Sequence, residues 1–225
     1  MTIKSVILAS SLLGIFLSGA NLGYARDDIQ WWQWLNLNLM EEGPHKIHLY
    51  LDNRIVEDVT EERLWLASIG YKYQASKRTQ IGLGYTYLDI RNIAQDTWMH
   101  RQRLELEVSH ETKLNASLKL HLRNRIEIWW DEDENTDEYR SRHRIQLSHP
   151  LSIGKLYKIY TNTEVFYNYE RDLLSQVRTI PVGLGFKLSK ATQLSIFYMI
   201  QSNRATNGMP WSHNHAIGTH LNHTF

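Results

Sequence analysis

The chain has 225 residues, 42% apolar and 22% charged, and its 25 Lys and Arg nearly balance 24 Asp and Glu. That is enough for one domain, and it offers no concentrated positive face to nucleic acid. With no cysteine, disulfide scaffolds, thiolate catalysis and Cys-based zinc sites are excluded. A mean hydropathy of -0.44 suits a soluble protein and equally a membrane β-barrel, where only every second residue faces lipid.

The first element is an address. Lys4, the apolar stretch from Val6 to Leu17, and small residues in Gly23-Tyr24-Ala25 form a secretory signal peptide pattern with cleavage after Ala25. The sequence therefore divides into a signal peptide over 1–25 and an outer-membrane β-barrel domain over 26–225. No later run of 18 apolar residues follows, so helical spans are not expected.

After Arg26 the dominant period is two. Leu104, Leu106 and Val108 oppose Arg101, Arg103, Glu105 and Glu107, and Leu122, Ile126 and Ile128 oppose Arg123, Arg125 and Glu127. Such alternation fits strands with one apolar face rather than helices. Eleven runs are predicted, near 29–40, 45–55, 61–74, 78–90, 96–110, 113–130, 137–149, 156–169, 175–189, 192–203 and 213–225. Tight turns are expected at Ala75 to Arg78, Glu111 to Lys113, His149 to Lys155 and Ser189 to Ala191. Longer polar loops are expected at Arg91 to Asp96, Asp131 to Glu138, Glu170 to Leu174 and Ser202 to Ser212. Short turns at one end and longer loops at the other is the asymmetry of an outer-membrane barrel. Strands of soluble sheets are mostly about 5 to 6 residues long, whereas a tilted membrane strand needs about 9 to 11. The fold class expected is all-β, a single antiparallel transmembrane barrel of about 10–12 strands. Bacterial single-chain barrels have even strand numbers, so ten or twelve is the expectation and one of the eleven runs is the anomaly.

The aromatics sort by height. Trp65, Trp98, Trp129, Trp130, Tyr85, Tyr87, Tyr167 and Tyr169 fall near one end of their strands, and Tyr71, Tyr73, Tyr157, Phe186 and Phe225 near the other. Two aromatic belts mark two membrane interfaces. Gly82-Leu83-Gly84-Tyr85 and Gly183-Leu184-Gly185-Phe186 lack the third glycine and the Lys-Ser/Thr of a phosphate loop. They read as strand glycines that point inward and relieve crowding. Pro181 has no N–H for a ladder, so a bulge is expected there.

The candidate site is the polar face. Arg101, Arg103, Glu105, Glu107, Arg123, Arg125, Glu127, Arg140, Arg142, Arg144 and Glu164 are expected to line the lumen. Rings of arginine favour anions, which makes small anionic solutes a candidate ligand. The competing reading is a ladder of ion pairs that fills a narrow barrel, since buried charges must be paired. His213, His215, His220 and His223 do not share one face and have no carboxylate nearby, so no metal site is expected. Ser212 beside His213 suggests a lipid-modifying hydrolase as an alternative, but no nucleophile–base–orienter set is visible and no cofactor is called for. A surface receptor barrel is the third reading. Expected partners are outer-membrane lipids and lipopolysaccharide, which the acidic loop from Asp131 to Glu134 would contact through divalent ions.

Four segments together carry a resemblance: Ile29-Gln30-Trp31-Trp32-Gln33-Trp34-Leu35-Asn36-Leu37, Leu122-Arg123-Asn124-Arg125-Ile126, Tyr139 to Arg144, and Gly183-Leu184-Gly185-Phe186-Lys187-Leu188-Ser189-Lys190. The set resembles the bacterial outer-membrane family known as domain of unknown function 2490. The resemblance implies a secreted, porin-like barrel of a Gram-negative outer membrane, without an assigned reaction or catalytic residues. Phe225, with Leu221 and Ile217 on its face, resembles the C-terminal signal read by the barrel-assembly machinery.

Overall fold

The computed structural model describes residues 28–131 and 137–225. The signal peptide expected over 1–25 and residues 132–136 of the acidic loop lie outside the described residues. Eleven strands form one sheet: β1 Asp28–Glu42, β2 His45–Val56, β3 Glu61–Gln74, β4 Thr79–Asn92, β5 Thr97–Lys113, β6 Lys119–Asp131, β7 Asp137–Ile153, β8 Leu156–Asn168, β9 Leu173–Lys187, β10 Thr192–Asn203 and β11 Ser212–Thr224. Each strand pairs with its neighbour in sequence, and β1 pairs with β11 to close the barrel.

The all-β barrel of 10–12 strands is as expected, and its count of eleven corrects only the preference for an even number. In an up-and-down sheet with an odd number of strands the first and last run the same way, so the seam is parallel. Its register runs from Asp28↔Asn214 to Asn38↔Thr224. The seam is locked at its end by the Asn38 amide donating to Thr224 Oγ1 at 3.0 Å and by the Phe225 N–H donating to the Asn38 carbonyl at 3.3 Å. All other pairs are antiparallel. The Trp-rich run at the start is thus a full strand, and the anomaly lies in the closure rather than in the count.

Two turns differ from expectation. Glu111 to Lys113 continues β5, and the turn is 114–118, where the Leu114 N–H donates to the Leu118 carbonyl at 2.9 Å. β7 continues to Ile153, leaving only Gly154 and Lys155 as the turn. The β5 extension stays paired with β6 from Glu111↔His121 to Lys113↔Lys119, whereas the β7 extension runs past Pro150, which has no N–H, through a register shift between Pro150 and Ile153. The connections at the Gly43 end have 2 to 5 residues and those at the opposite end 4 to 8. We call these the turn end and the loop end; the asymmetry has the expected sense but is mild.

The barrel is inverted in polarity. Outward positions carry large apolar side chains: Ile69, Leu83, Leu106, Ile126, Ile145, Val182, Ile196 and Ile217 are each at least 40% exposed. Inward positions carry the charges, with Glu127 at 0% and Arg103 at 5%. Trp129 corrects the aromatic-belt assignment. Its height is as expected, but at 5% exposure it points inward, which its parity with Glu127 and Arg125 dictates.

Pro181 sits at a bulge. The β9 register shifts against both neighbours there, between Tyr198↔Val182 and Ile200↔Thr179 on one side and between Tyr160 and Asn162 on the other. The Thr161 hydroxyl donates to the Ile180 carbonyl at 2.9 Å, which satisfies an acceptor that the interrupted ladder leaves behind.

Inward glycines make room for inward bulk. Phe197 has Gly183 as its partner on one side and Gly218 on the other. A Cβ on Gly218 would fall within the Phe197 ring, and one on Gly183 within the Tyr160 ring. This space lets Trp32, Tyr160, Ile180, Phe197, Met199 and Ala216 pack as one apolar cluster beneath the seam. Leu66, Leu88 and Trp129 form a second. Charged groups, with a few buried hydroxyls and amides, occupy much of the remaining interior.

Candidate functional site: the charged interior of the barrel

Strands β5, β6, β7 and β8 each place charged residues at alternate positions, and hydrogen-bonded register brings them side by side. Glu105 pairs with Glu127, Glu107 with Arg125, Glu127 with Arg140 and Glu164 with Arg144 along the ladders. Two carboxylates directly opposite would repel, and arginines reaching from neighbouring positions neutralise them. Glu127 is the hub. It accepts from Arg140 Nη2 at 2.6 Å and Arg142 Nη1 at 2.7 Å, with Arg103 and Arg125 at 3.7 and 3.8 Å.

The other three carboxylates are as fully used. Glu105 pairs with Arg103, and with Arg125 at 2.6 Å. Glu107 pairs with Arg125 at 2.7 Å, Lys72 at 3.6 Å and Arg123 at 3.7 Å. Glu164 pairs with Arg123, reaching past β7, and with Arg142 at 3.1 Å. Thr86, fully buried, donates to Glu105 at 3.1 Å, and its hydroxyl lies 2.9 Å from Ser68 Oγ. Such charge-assisted, partly bidentate bonds hold guanidinium and carboxylate planes in fixed orientation.

Aromatic rings hold what the carboxylates do not. Trp129 lies beneath the guanidinium carbons of Arg101, Arg103 and Arg140 at 4.9, 4.6 and 4.6 Å. Phe166, at 0% exposure, faces Arg140, Arg142 and Arg178 at 5.2, 4.6 and 4.7 Å. Trp32 is faced by Arg54 at 3.8 Å and Arg178 at 4.9 Å. Cations over ring faces are attracted by the ring quadrupole, more so when desolvated.

Of the residues singled out from the sequence, Arg103, Glu105, Glu107, Arg123, Arg125, Glu127, Arg140, Arg142 and Glu164 belong to one continuous network. Arg101 sits toward the loop end, paired with Asp131 and with Glu138 at 3.1 Å. Arg144 stands apart, with no ion pair among the described residues. Phe225 is 79% exposed at the turn end, its ring edge-on to His223.

Sequence reasoning missed Lys72, Lys158, Arg178 and the Asp52–Arg54 pair at 2.5 Å. Parity was the available signal: Lys72 lies between two outward tyrosines, and Arg178 alternates with Val177 and Thr179. Between the two rims the interior holds Arg54, Lys72, Arg103, Arg123, Arg125, Arg140, Arg142, Arg144, Lys158 and Arg178 against Asp52, Glu105, Glu107, Glu127 and Glu164. At the loop end a cavity of about 590 Å³ opens above Trp32 and Arg54, lined by Gln30, Gln176, Gln201, Asn203 and Asn214.

The histidines divide by face. Seven that point outward each bond a neighbouring strand through Nδ1: His45 with Tyr71, His100 with Asp89, His110 with Thr79, His143 with Asn124, His213 with Ser202, His215 with Tyr198 and His223 with Thr192, at 2.5 to 3.1 Å. The hydroxyl nearest His213 is thus Ser202 at 2.9 Å, while Ser212 donates to the Asn203 carbonyl instead. No described carboxylate lies within ion-pair distance of His213, so an orienting third member is not assembled. Among the described residues no group of three His, Asp or Glu side chains is placed to hold a metal ion.

A family profile described as "Protein of unknown function (DUF2490)" matches residues 29–213, from β1 to the start of β11. No curated protein matches the chain.

Proposed function

Starting from a chain that belongs to the DUF2490 family, we propose that it is a transmembrane β-barrel of the bacterial outer membrane whose lumen is closed by an Arg/Glu network. The inverted polarity carries this reading. A barrel with isoleucine, leucine, valine and tyrosine outside and buried glutamates inside is the arrangement that lipid selects and water penalises. Seven outward histidines support it, because each spends Nδ1 on a cross-strand partner, as polar groups facing hydrocarbon tend to. Strands of 12 to 17 residues are long enough to cross at a tilt.

The interior argues for a closed barrel over an open porin. Glu127, Phe166 and Trp32 are at most 1% exposed, so ion pairs and rings fill the waist. A second reading, a narrow passage for small anions, draws on the positive excess between the rims. Contacts with lipopolysaccharide at the loop end and handling of Phe225 by the assembly machinery belong to the same proposal.

The test is to refold the chain from residue 26 with and without lipid vesicles, follow heat-modifiable migration, and record conductance in a planar bilayer. Folding that requires lipid or detergent, with no large open steps, is expected. A folded monomer in plain buffer overturns the membrane reading, and large unselective steps overturn the closed lumen. Small anion-preferring steps diminished by Arg142→Ala establish the second reading.

A further inference from the structure

The ten cations between the rims face five carboxylates, and every carboxylate is already in an ion pair. Three of the ten have no carboxylate within 4.0 Å among the described residues: Arg144, Lys158 and Arg178. Arg178 rests between the Trp32 and Phe166 rings and donates Nε to Gln201 at 3.2 Å. Lys158 lies 5.3 Å from the rings of Tyr157 and Tyr160. Arg144 has neither carboxylate nor ring, and its buried Nε has no hydrogen-bond partner.

The neighbourhood does not compensate. Across the ladder Arg144 faces Arg123 on one side and Glu164 on the other, and Glu164 is held by Arg123 and Arg142. Arg123 Nε and His220 Nε2 are also buried without partners. His121, Lys158 and His220 lie within electrostatic reach of Arg144, with Glu111 acting on the first two and Asp52 on the third, neither of them in an ion pair with Arg144. Glu107 and Glu164 act on it from the network, and Arg125 adds a further cation. Arg144, Lys158 and His220 are partly exposed although they point into a closed barrel, so they border open space in the lumen. The buried Nε is an unmet donor beside other cations, and the planar fork of a guanidinium matches an oxyanion.

We propose that Arg144 is the centre of a binding site for a small oxyanion, a phosphate or carboxylate, with Lys158 and His220 as supporting donors inside the barrel. The site deepens the reading of a closed, charged barrel and rests on it for the position in the lumen. The anion supplies the charge that the five carboxylates do not, and its forked oxygens meet the guanidinium whose Nε is unpartnered.

The chain from residue 26 is folded in a phosphate-free maltoside detergent, with folding confirmed first by heat-modifiable migration. Failure at that stage counts against the membrane barrel and not against the anion site, which is then measured on whatever folded form exists. Inorganic phosphate is titrated at fixed ionic strength against chloride, by calorimetry and by thermal unfolding. Saturable binding to the native sequence is expected, weakened roughly tenfold or more in Arg144→Leu and in Arg144→Lys, which keeps the charge but loses the fork. Arg91→Ala, at the loop end, is expected to bind as the native chain does. Without phosphate, Arg144→Leu is expected to unfold at a higher temperature than the native chain. Absence of a phosphate-specific response, or an equal response in the Arg144 variants, overturns the site. A response only to dihexanoyl phosphatidic acid moves it to a lipid headgroup and overturns the soluble ligand. If Arg144→Leu does not fold while Arg144→Lys does, the Lys variant and Lys158→Met decide on the same criteria.

Discussion

Arg140 donates to one oxygen of Glu127 through both Nε, at 2.9 Å, and Nη2, at 2.6 Å, across the β6–β7 ladder. The same oxygen also accepts the Trp129 indole N–H at 3.1 Å, and Trp129 in turn lies beneath Arg140. One carboxylate thereby fixes two guanidiniums and an indole at the waist of the barrel.

Glu127→Gln keeps the shape and removes the charge on which four arginines depend. Leaving buried cations uncompensated is expected to destabilise the barrel by about 3–5 kcal/mol. Lys119→Gln, whose partner Glu111 is half exposed at 52%, is expected to change stability by less than about 1 kcal/mol. Reversible urea unfolding in vesicles measures both, and equal effects would show that the hub carries no special charge balance.

Phe197 and Gly218 form a coupled pair. Gly218→Ala places a methyl group within the ring and is expected to destabilise by about 1–3 kcal/mol. In Phe197→Leu the same change should be much milder, because the flat ring that needs the space is gone. A double-mutant cycle reads the coupling directly, and additivity would mean that the ring yields without strain.

These two sites also show what the sequence could and could not convey. Strict alternation located all eleven strands and told inward Glu127 from outward Ile128, because a pleated strand allows only two directions. The inward direction of Gly183 was legible for the same reason. The partners were not. That Arg123 reaches Glu164 past β7, or that Phe197 lies between two glycines, depends on register between strands, which alternation within one strand does not encode. Trp129 departs from the belt because height along a strand does not set a side chain's direction, whereas parity does. The parallel seam followed from counting, but the prior for even barrels outweighed the count.

The cross-strand bonds of the outward histidines are open to isosteric tests. Thr192→Val removes the hydroxyl 2.9 Å from His223, and Thr79→Val the one 3.1 Å from His110. Each is expected to destabilise the lipid-embedded barrel by about 0.5–1 kcal/mol, the worth of an interstrand polar contact in a membrane. His223→Phe combined with Thr192→Val should recover most of that loss, since no imidazole is then left facing lipid unpaired. Vesicle unfolding midpoints decide, and an unrecovered loss would assign the effect to packing.

The connection after β2 stores backbone strain. Glu57, Asp58 and Val59 have φ of 51°, 57° and 66° in succession, a left-handed run that is unfavourable for side chains with a Cβ and most so for β-branched valine. Asp28 holds the turn by accepting the Asp58 N–H at 2.9 Å, tying it to the first residue of β1 beside the loop-end cavity. Val59→Gly relieves the Cβ penalty and is expected to stabilise the barrel by about 1 kcal/mol, reduced somewhat by the added freedom of the unfolded chain. Asp28→Ala is expected to act in the opposite direction, because it releases the strained turn from the seam. Unfolding in vesicles, with amide exchange at residues 57–60, distinguishes the two. Faster exchange in Asp28→Ala together with slower or unchanged exchange in Val59→Gly is the expected pattern, and a destabilised Val59→Gly would show that the valine side chain holds the turn more than its φ opposes it.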